Sequence, residues 1–332
     1  MPQITSQPII RGKKIANLDD MPFPSWDLFP ISEYASNFHF TGATSEDRTM
    51  SVLTSRGCVN QCSFCQRIES GLRVRSIDNV FDELEVLNKQ YGINYFMFED
   101  EMFVPHMQRL KSFSDSLHRL EGDIKYWCSA RVDLAKDREV LKLLKESGCQ
   151  LLSFGLESLD QNVLDLMRKN TQVEDNYRAV ENTLRAGIHP GLNFIWGNLG
   201  DSLESLDKIV HFLINYDSLG QLRTVRPVTP YPGSLLYSQA ISQGKLEGPG
   251  DFFKRFTNSD RITVNFLDIP EVEAYNALLE ANSVLVRNYY QKKGNPESSQ
   301  PVIDAFRRLY FPTCPEDLKF RGVRHYEKPL KQ

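Results

Sequence analysis

Residues 77–101 read IDNVFDELEVLNKQYGINYFMFEDE, and they contain the repeating unit that decides the fold. Val80, Leu84 and Leu87 are spaced as on one face of an amphipathic helix. Gly92 follows where this helix should end, since glycine readily adopts the left-handed conformation that closes a helix. The run INYFMF comes next and is short and apolar, as in a strand buried on both faces. The segment therefore predicts a helix followed by a buried strand.

This helix-and-strand unit recurs from residue 50 to about residue 226. The apolar runs that we predict as strands are residues 51–54, 93–98, 124–128, 151–156, 192–196 and 222–225. Strands that alternate with helices at this length indicate βαβ units and a parallel sheet. Such units can form a partial barrel, a complete barrel or a doubly wound sheet, and the pattern alone does not choose among them.

The composition is that of a folded protein. The chain has 332 residues, of which 41% are hydrophobic and 25% charged, so we expect one barrel-sized domain with additions. A net charge of -4 argues against a general nucleic-acid partner. Because the sequence has no apolar run of membrane-spanning length and no signal-peptide pattern at its start, we expect a cytoplasmic protein with no membrane partner. The six cysteines are then thiols or metal ligands.

The sequence divides into three regions. Residues 1–47 are rich in proline and aromatic residues, as in MPFPSWDLFP, and predict an extended N-terminal arm that packs on the main domain. Residues 48–230 contain the strand-and-helix units and predict the core. The turn YPG at residues 231–233 begins residues 231–332, which we expect to be mostly helical and to cap the substrate site.

A compact cysteine motif follows the first predicted strand. The segment SRGCVNQCSFCQRI places Cys58, Cys62 and Cys65 in a C-x3-C-x2-C pattern. Three thiolates so close together can coordinate three irons of a cubane cluster. Structural zinc normally needs four ligands, often in two separated pairs, whereas the remaining cysteines are scattered. The alternatives are an incidental cysteine-rich turn and a zinc site completed by a histidine.

The motif, with Phe64 before its last cysteine, resembles the signature of radical S-adenosylmethionine (SAM) enzymes. The similarity runs from about residue 18 to residue 255 and includes SARVD, FGLESLD and PVTPYPGSLLY. These segments resemble the branch of cobalamin-binding-type radical SAM proteins, such as the anaerobic magnesium-protoporphyrin ester cyclases and many C-methyltransferases. The resemblance implies an α/β fold: a partial (β/α)6 TIM-type barrel with an N-terminal arm and a mostly helical C-terminal region.

The resemblance also implies the chemistry. A 4Fe–4S cluster on Cys58, Cys62 and Cys65 would bind SAM at its open iron, and an electron from a donor such as flavodoxin or ferredoxin would cleave SAM. The resulting 5′-deoxyadenosyl radical would abstract hydrogen from a small or medium organic substrate. The outcome would be a rearrangement, a cyclisation, an oxidation or a C–C bond, with the cofactor carrying the hard step.

Residues that contact SAM are implied in the same way. Glu157, in FGLES, falls where the family has a ribose ligand, and Lys169 falls where a cation meets the SAM carboxylate. Asn193 falls at a second ribose contact. Phe64 and Ile195 are expected to line the adenine. The bland alternatives are that Glu157 caps the next helix and that Lys169 is a solvated charge at a helix end.

Two further segments belong to the implied SAM site. Phe98, Glu99 and Asp100 match the backbone that contacts the methionine amino group. The family's G-x-P-G-E-T turn reads GNLGDS at residues 197–202, with Leu199 in place of proline and Asp201 in place of glutamate. The adenine-side contact therefore departs from the family's pattern.

Two other functions compete with the hydrogen-abstracting enzyme. One is a cobalamin-dependent radical C-methyltransferase whose cobalamin module is absent from this chain. Too few residues precede the segment that resembles the family's linker to form a domain, so we expect this chain alone to bind no cobalamin. The other is a non-catalytic iron–sulfur or zinc protein that binds partners.

Overall fold

A parallel sheet forms the centre of the molecule. A computed structural model describes residues 14–36, 41–66 and 71–319. The strands are β1 (Thr49–Val52), β2 (Ser55–Arg56), β3 (Arg73–Val74), β4 (Tyr95–Phe98), β5 (Lys125–Ala130), β6 (Cys149–Glu157), β7 (His189–Trp196) and β8 (Arg226–Pro227). Six of them pair in parallel in the order β1-β4-β5-β6-β7-β8, while β2 and β3 form a separate antiparallel pair. The sheet curls into a half-barrel, as the partial (β/α)6 prediction requires.

Helices connect the parallel strands, and others precede the first strand or follow the last one. They are α1 (Ile31–Ser36), α2 (Ile77–Tyr91), α3 (Met107–Ser116), α4 (Arg138–Glu146), α5 (Gln161–Leu166), α6 (Val173–Arg185), α7 (Leu203–Tyr216), α8 (Leu235–Ser242), α9 (Pro249–Arg255), α10 (Glu271–Lys292) and α11 (Ser299–Tyr310). Helix α2 begins after Ser76, whose hydroxyl accepts a hydrogen bond from the amide of Asn79, and it ends at Gly92 with a φ of 67°. Over the described residues, every helix is too short or too polar to cross a membrane.

The main apolar core includes the C-terminal helices. Side chains of the strands and of α2 pack there, with an aromatic cluster around Phe98, whose ring stacks on Phe103 at 4.4 Å between centroids. Leu278 of α10 and Phe306 of α11 belong to the same core. The N-terminal arm joins it through Ile31, which is 2% exposed. Residues 1–13 and 37–40 of the arm lie outside the described residues.

The last strand differs from its prediction. Residues 222–225 were expected to form it, whereas β8 is the two-residue segment Arg226–Pro227. The side chain of Asn282, on α10, accepts a hydrogen bond from the Val225 amide at 2.8 Å and donates one to the Val225 carbonyl at 3.1 Å. A helix side chain therefore satisfies the backbone groups that a strand neighbour would have satisfied, and the ladder begins one residue later.

Candidate functional site

The three motif cysteines lie in one loop at the carboxyl edge of the sheet. Cys58, Cys62 and Cys65 are free thiols, each partly exposed. Cys58 Sγ accepts hydrogen bonds from Asn60, at 3.2 Å from its side-chain amide and 3.5 Å from its backbone amide. Such bonds to sulfur accompany iron–sulfur ligation and tune its potential. Three thiols in one accessible loop suit a cubane cluster as a donor set.

A single metal ion is a different case. Within the described residues, no three or more His, Cys, Asp or Glu side chains are grouped closely enough to hold one ion. In a cubane each thiolate binds its own iron, so cluster ligands stand farther apart than the ligands of one zinc ion. A cubane and a zinc ion therefore need different spacings between their ligand atoms.

Ser63 fixes the cysteine loop in place, a role that the sequence did not reveal. Its amide donates to the carbonyl of Met167 at 2.8 Å, and its hydroxyl donates to the carbonyl of Leu166 at 3.2 Å. Its carbonyl accepts from the amide of Leu236 at 2.8 Å. With 1% of its surface exposed, Ser63 joins the cysteine loop to the segment after α5 and to the start of α8. A small polar residue between two cysteines was the available signal.

Asp100 ties the ends of β1 and β4 together. Its carboxylate accepts hydrogen bonds from the Thr54 amide at 2.8 Å, the Thr54 hydroxyl at 3.0 Å, the Ser55 hydroxyl at 2.8 Å and the Ser55 amide. Burial raises the pKa of Asp100, and these hydrogen bonds oppose the rise. Its side chain therefore fixes the backbone that leads into Cys58.

The two residues before Asp100 have other surroundings. The ring of Phe98 is fully buried in the aromatic cluster of the core. Glu99 is exposed, and its amide donates to the carbonyl of Val52 at 3.2 Å. The Phe98 ring is therefore unavailable as a ligand, and the contact that the resemblance implies is one to the backbone of this segment.

Glu157 and Lys169 form a buried ion pair. Lys169 Nζ lies 2.9 Å from Glu157 Oε1, and each residue is 8% exposed. Glu157 ends β6 in the left-handed region, with a φ of 66°. A Cβ atom on Gly155 would overlap Glu157 Oε1 and would lie 2.9 Å from Lys169 Nζ. A side chain at position 155 would therefore displace the ends of these two side chains from the arrangement seen here.

The structure excludes the two purely structural roles considered for Glu157 and Lys169. The next helix, α5, is capped by Asp160, whose carboxylate accepts from the amides of Asn162 at 3.0 Å and Val163 at 3.3 Å. Glu157 is therefore not the cap. Lys169 is buried, so it is not a solvated helix-end charge.

The pair lies beside the cysteine loop. Lys169 Nζ is 6.0 Å from the centroid of the Phe64 ring. Burial raises the pKa of Cys62, while the charges of Lys169 and Arg131 act against that rise. Two cations therefore act on the same thiol.

The remaining predicted contacts lie on β7 and near the C-terminal region. Asn193 is exposed, and its side-chain amide donates to Ser153 Oγ and to the Phe154 carbonyl, both at 2.9 Å. Ile195 and Phe64 pack on a second apolar cluster. Its buried members are Val228, Leu236, Ala240, Leu246, Phe252, Val264 and Phe266. The fold thus brings the two predicted adenine contacts to one apolar surface.

Asp201 closes the turn that follows β7. Its carboxylate accepts from the amides of Gly197 at 3.1 Å and Asn198 at 3.0 Å, and from the Ser205 hydroxyl at 2.7 Å. Burial raises the pKa of Asp201 to about 6. The Asp201 carboxylate therefore accepts its hydrogen bonds from within its own turn.

Known proteins are similar to this chain in sequence. An uncharacterised methyltransferase of Pyrococcus horikoshii is 31% identical over 235 residues, which are 70% of this chain and 49% of that protein. An anaerobic magnesium-protoporphyrin IX monomethyl ester cyclase of Rubrivivax gelatinosus is 29% identical over 188 residues, which are 56% of this chain and 34% of that protein. The chain thus spans about half or less of the length of these relatives.

The fold has a counterpart among solved structures. The cobalamin-dependent S-adenosylmethionine radical enzyme OxsB matches 81% of this chain and 48% of its own, with a TM-score of 0.59 and 18% identity, a likeness of fold. Residues 52–213 match the radical SAM superfamily. This matched segment begins on the first strand and includes the three cysteines, Glu157 and Lys169, so residues 52–213 of the chain are a radical SAM domain.

Proposed function

We propose that the protein is a radical SAM enzyme acting on an organic substrate. The observation that carries the proposal is that the superfamily match contains a three-thiol loop next to the buried Glu157–Lys169 pair. When bound, the 4Fe–4S cluster would supply the electron that splits SAM into methionine and a hydrogen-abstracting 5′-deoxyadenosyl radical. Cys58, Cys62 and Cys65 would hold this cluster.

Glu157 and Lys169 would orient SAM by exchanging partners. In the protein without SAM each neutralises the other, so no buried charge is left alone. On binding, Lys169 would pair with the SAM carboxylate and Glu157 would accept hydrogen bonds from the ribose hydroxyls. Lys169 would thus keep an ionic partner and Glu157 would keep hydrogen-bond donors, so neither buried charge would be left unsatisfied.

The other proposed SAM contacts surround this pair. Asn193 would reach the ribose, and Phe64 and Ile195 would bound the adenine from the apolar surface that they share. The backbone of Phe98, Glu99 and Asp100 would face the methionine amino group. A backbone role is compatible with the burial of the Phe98 ring and with the hydrogen bonds that occupy the Asp100 carboxylate.

We further propose that residues 48–230 form the radical SAM core, with residues 1–47 as an arm and residues 231–332 as the substrate cap. Contacts of Phe64 with the cluster formed by residues 228–266 support a cap near the cysteine loop. The reductant would be a flavodoxin or ferredoxin. A cytoplasmic setting is proposed because the thiols must be reduced to take up iron.

The test is cluster formation followed by SAM cleavage. Anaerobic reconstitution should give about four irons per chain, and dithionite with SAM should yield 5′-deoxyadenosine. The triple variant Cys58→Ala, Cys62→Ala, Cys65→Ala should lose both the iron and the product. Cys314→Ala, on an exposed thiol outside the loop, is the matched control and should keep both. A full cluster in the triple variant would refute the proposal.

A cobalamin-dependent methyltransferase is the second candidate. It is favoured by the names of relatives, which include a bacteriochlorophyllide d C-8(2)-methyltransferase of Chlorobaculum tepidum that is 26% identical over 242 residues. Titration with hydroxocobalamin separates the two candidates. We expect no binding by this chain, and stoichiometric binding would place the methyltransferase first.

A further inference from the structure

Lys169 lies in a strained turn of backbone. Its two neighbours, Arg168 and Asn170, have left-handed φ angles of 52° and 53°. Asparagine tolerates this region, but arginine seldom adopts it, and such residues persist only where surrounding contacts hold them. The segment 168–170 therefore needs an external support to keep its shape.

Arg131 supplies that support from the neighbouring strand. It directly follows β5, and its Nη2 donates to the carbonyl of Lys169 at 3.0 Å and to that of Asn170 at 3.4 Å. Its Nε donates to Asp133 Oδ2 at 3.2 Å, which fixes the plane of the guanidinium. With 19% of its side chain exposed, Arg131 spans from the end of the sheet to the turn.

Other contacts hold the approach to this turn. The Met167 carbonyl accepts from the amide of Ser63, and the Lys169 amide donates to the carbonyl of Leu164 at 3.0 Å. Within the described parts of the chain, Arg131 is the side chain that donates to the carbonyls of Lys169 itself and of the residue after it. Arg131 thus contacts the backbone of Lys169, whose side chain points towards Glu157.

We propose that Arg131 is a positioning residue that holds the strained segment 168–170 and so presents Lys169 to Glu157 and to the SAM carboxylate. The proposal rests on the proposed function, since it assigns Arg131 a part in SAM binding. Arg131 acts through the backbone of Lys169 and not as a ligand of SAM.

A double-mutant cycle tests this. SAM affinity is measured by calorimetry on anaerobically reconstituted protein without reductant, for Arg131→Met, Arg131→Lys, Lys169→Met and the double variant Arg131→Met, Lys169→Met. Both Arg131 variants should weaken SAM binding at least about tenfold, since lysine keeps the charge but lacks the planar fork. In the Lys169→Met background, Arg131→Met should cost less than about threefold. Arg138→Met, an exposed arginine on α4, is the charge-matched control.

Hydrogen exchange without SAM gives an independent readout. The amide of Lys169 should exchange faster in both Arg131 variants and at the native rate in Arg138→Met, with iron content unchanged in all.

Three outcomes would overturn this inference and leave the proposed function standing. Native SAM affinity in Arg131→Lys would show that a positive charge suffices, and an equal loss of SAM affinity on Arg131→Met with and without Lys169→Met would make Arg131 a direct ligand. An unchanged exchange rate of the Lys169 amide would show that Arg131 does not hold the segment. Absence of SAM binding by the unmodified chain would instead overturn the proposed function, and this inference with it.

Discussion

The Asp201 carboxylate forms hydrogen bonds within its own turn and is not directed at a ligand. The family's turn has a glutamate where this chain has the shorter Asp201. The shorter side chain folds back onto the amides of Gly197 and Asn198 and onto the Ser205 hydroxyl. Because it is buried there, its ionised form is costly and its pKa rises to about 6.

This pKa makes stability depend on pH in a definite direction. The folded pKa of Asp201, about 6, lies above the ordinary value of 3.8, so the folded state binds the proton more tightly. The stabilisation is complete below the ordinary value and is lost as the pH rises through about 6. We expect the free energy of unfolding, relative to Asp201→Asn, to fall by about 2 kcal/mol between pH 4.5 and 7.5. Urea unfolding at each pH measures it.

Asparagine is a suitable reference because its oxygen can accept from both amides while its NH2 group donates to Ser205 Oγ. Asp115→Asn, at an exposed position of α3, is the charge-matched control. A difference between the native protein and Asp201→Asn that stays constant over this pH range would contradict the prediction.

The roles of residues that belong to a sequence motif could be predicted from the sequence. The roles of residues that contact distant parts of the chain could not. The cysteine pattern is visible in the spacing along the chain, and the resemblance of the motifs to a known signature indicated the superfamily. Ser63, Asp100 and Arg131 act on partners more than thirty residues away, as in the bond from the Arg131 guanidinium to the Lys169 carbonyl. Spacing in sequence does not report such contacts.

At the scale of elements, the start of β8 is set by hydrogen bonds from a side chain of helix α10. The Asn282 side chain bonds the amide and carbonyl of Val225 and donates to the Tyr310 hydroxyl at 3.0 Å. It thus joins the edge of the sheet to α10 and α11. Apolarity suggested a strand at residues 222–225, but a sequence pattern does not show which side chain will take the place of a neighbouring strand.

Replacing Asn282 by leucine should expose this dependence. Leucine has nearly the same branched shape as asparagine, but its side chain cannot form hydrogen bonds. The backbone groups of Val225 and the Tyr310 hydroxyl would therefore stay buried without the partner that Asn282 provides. We expect a loss of about 2–4 kcal/mol in the free energy of unfolding and faster exchange of the Val225 amide. Asn276→Leu, at an exposed position on the same helix, is the control. Equal stability of the two variants would show that the Asn282 bonds contribute nothing.

At the scale of the molecule, the apolar core includes helices that follow β8, the last strand of the parallel sheet. Helices α10 and α11 contribute to the same apolar cluster as the sheet, while α8 and α9 build the second cluster around Phe252. The amphipathic repeats of residues 50–226 predicted the sheet, but the partners of the later helices are set only by how the half-barrel curls.

A cavity in α10 should therefore destabilise the barrel. Leu278 is fully buried, and Leu278→Ala should lower the free energy of unfolding by about 2–5 kcal/mol. Tryptophan fluorescence, to which Trp196 in β7 contributes, should report the same shifted transition as circular dichroism reports for the helices. Val284→Ala, 38% exposed on α10, is the control. Separate transitions would show that the C-terminal helices unfold on their own.

The position of Ser63 also imposes an order of events in time. Its partners lie at residues 166, 167 and 236, so the cysteine loop cannot be completed until synthesis has passed residue 236. At about 5–20 residues per second, the ribosome needs roughly 10–30 s to travel there from Cys65. During that interval the three thiols are already made, but the loop that carries them is not yet fixed to its partners. Newly made chains thus pass through a period in which the thiols are present but not yet held in position to take up iron together.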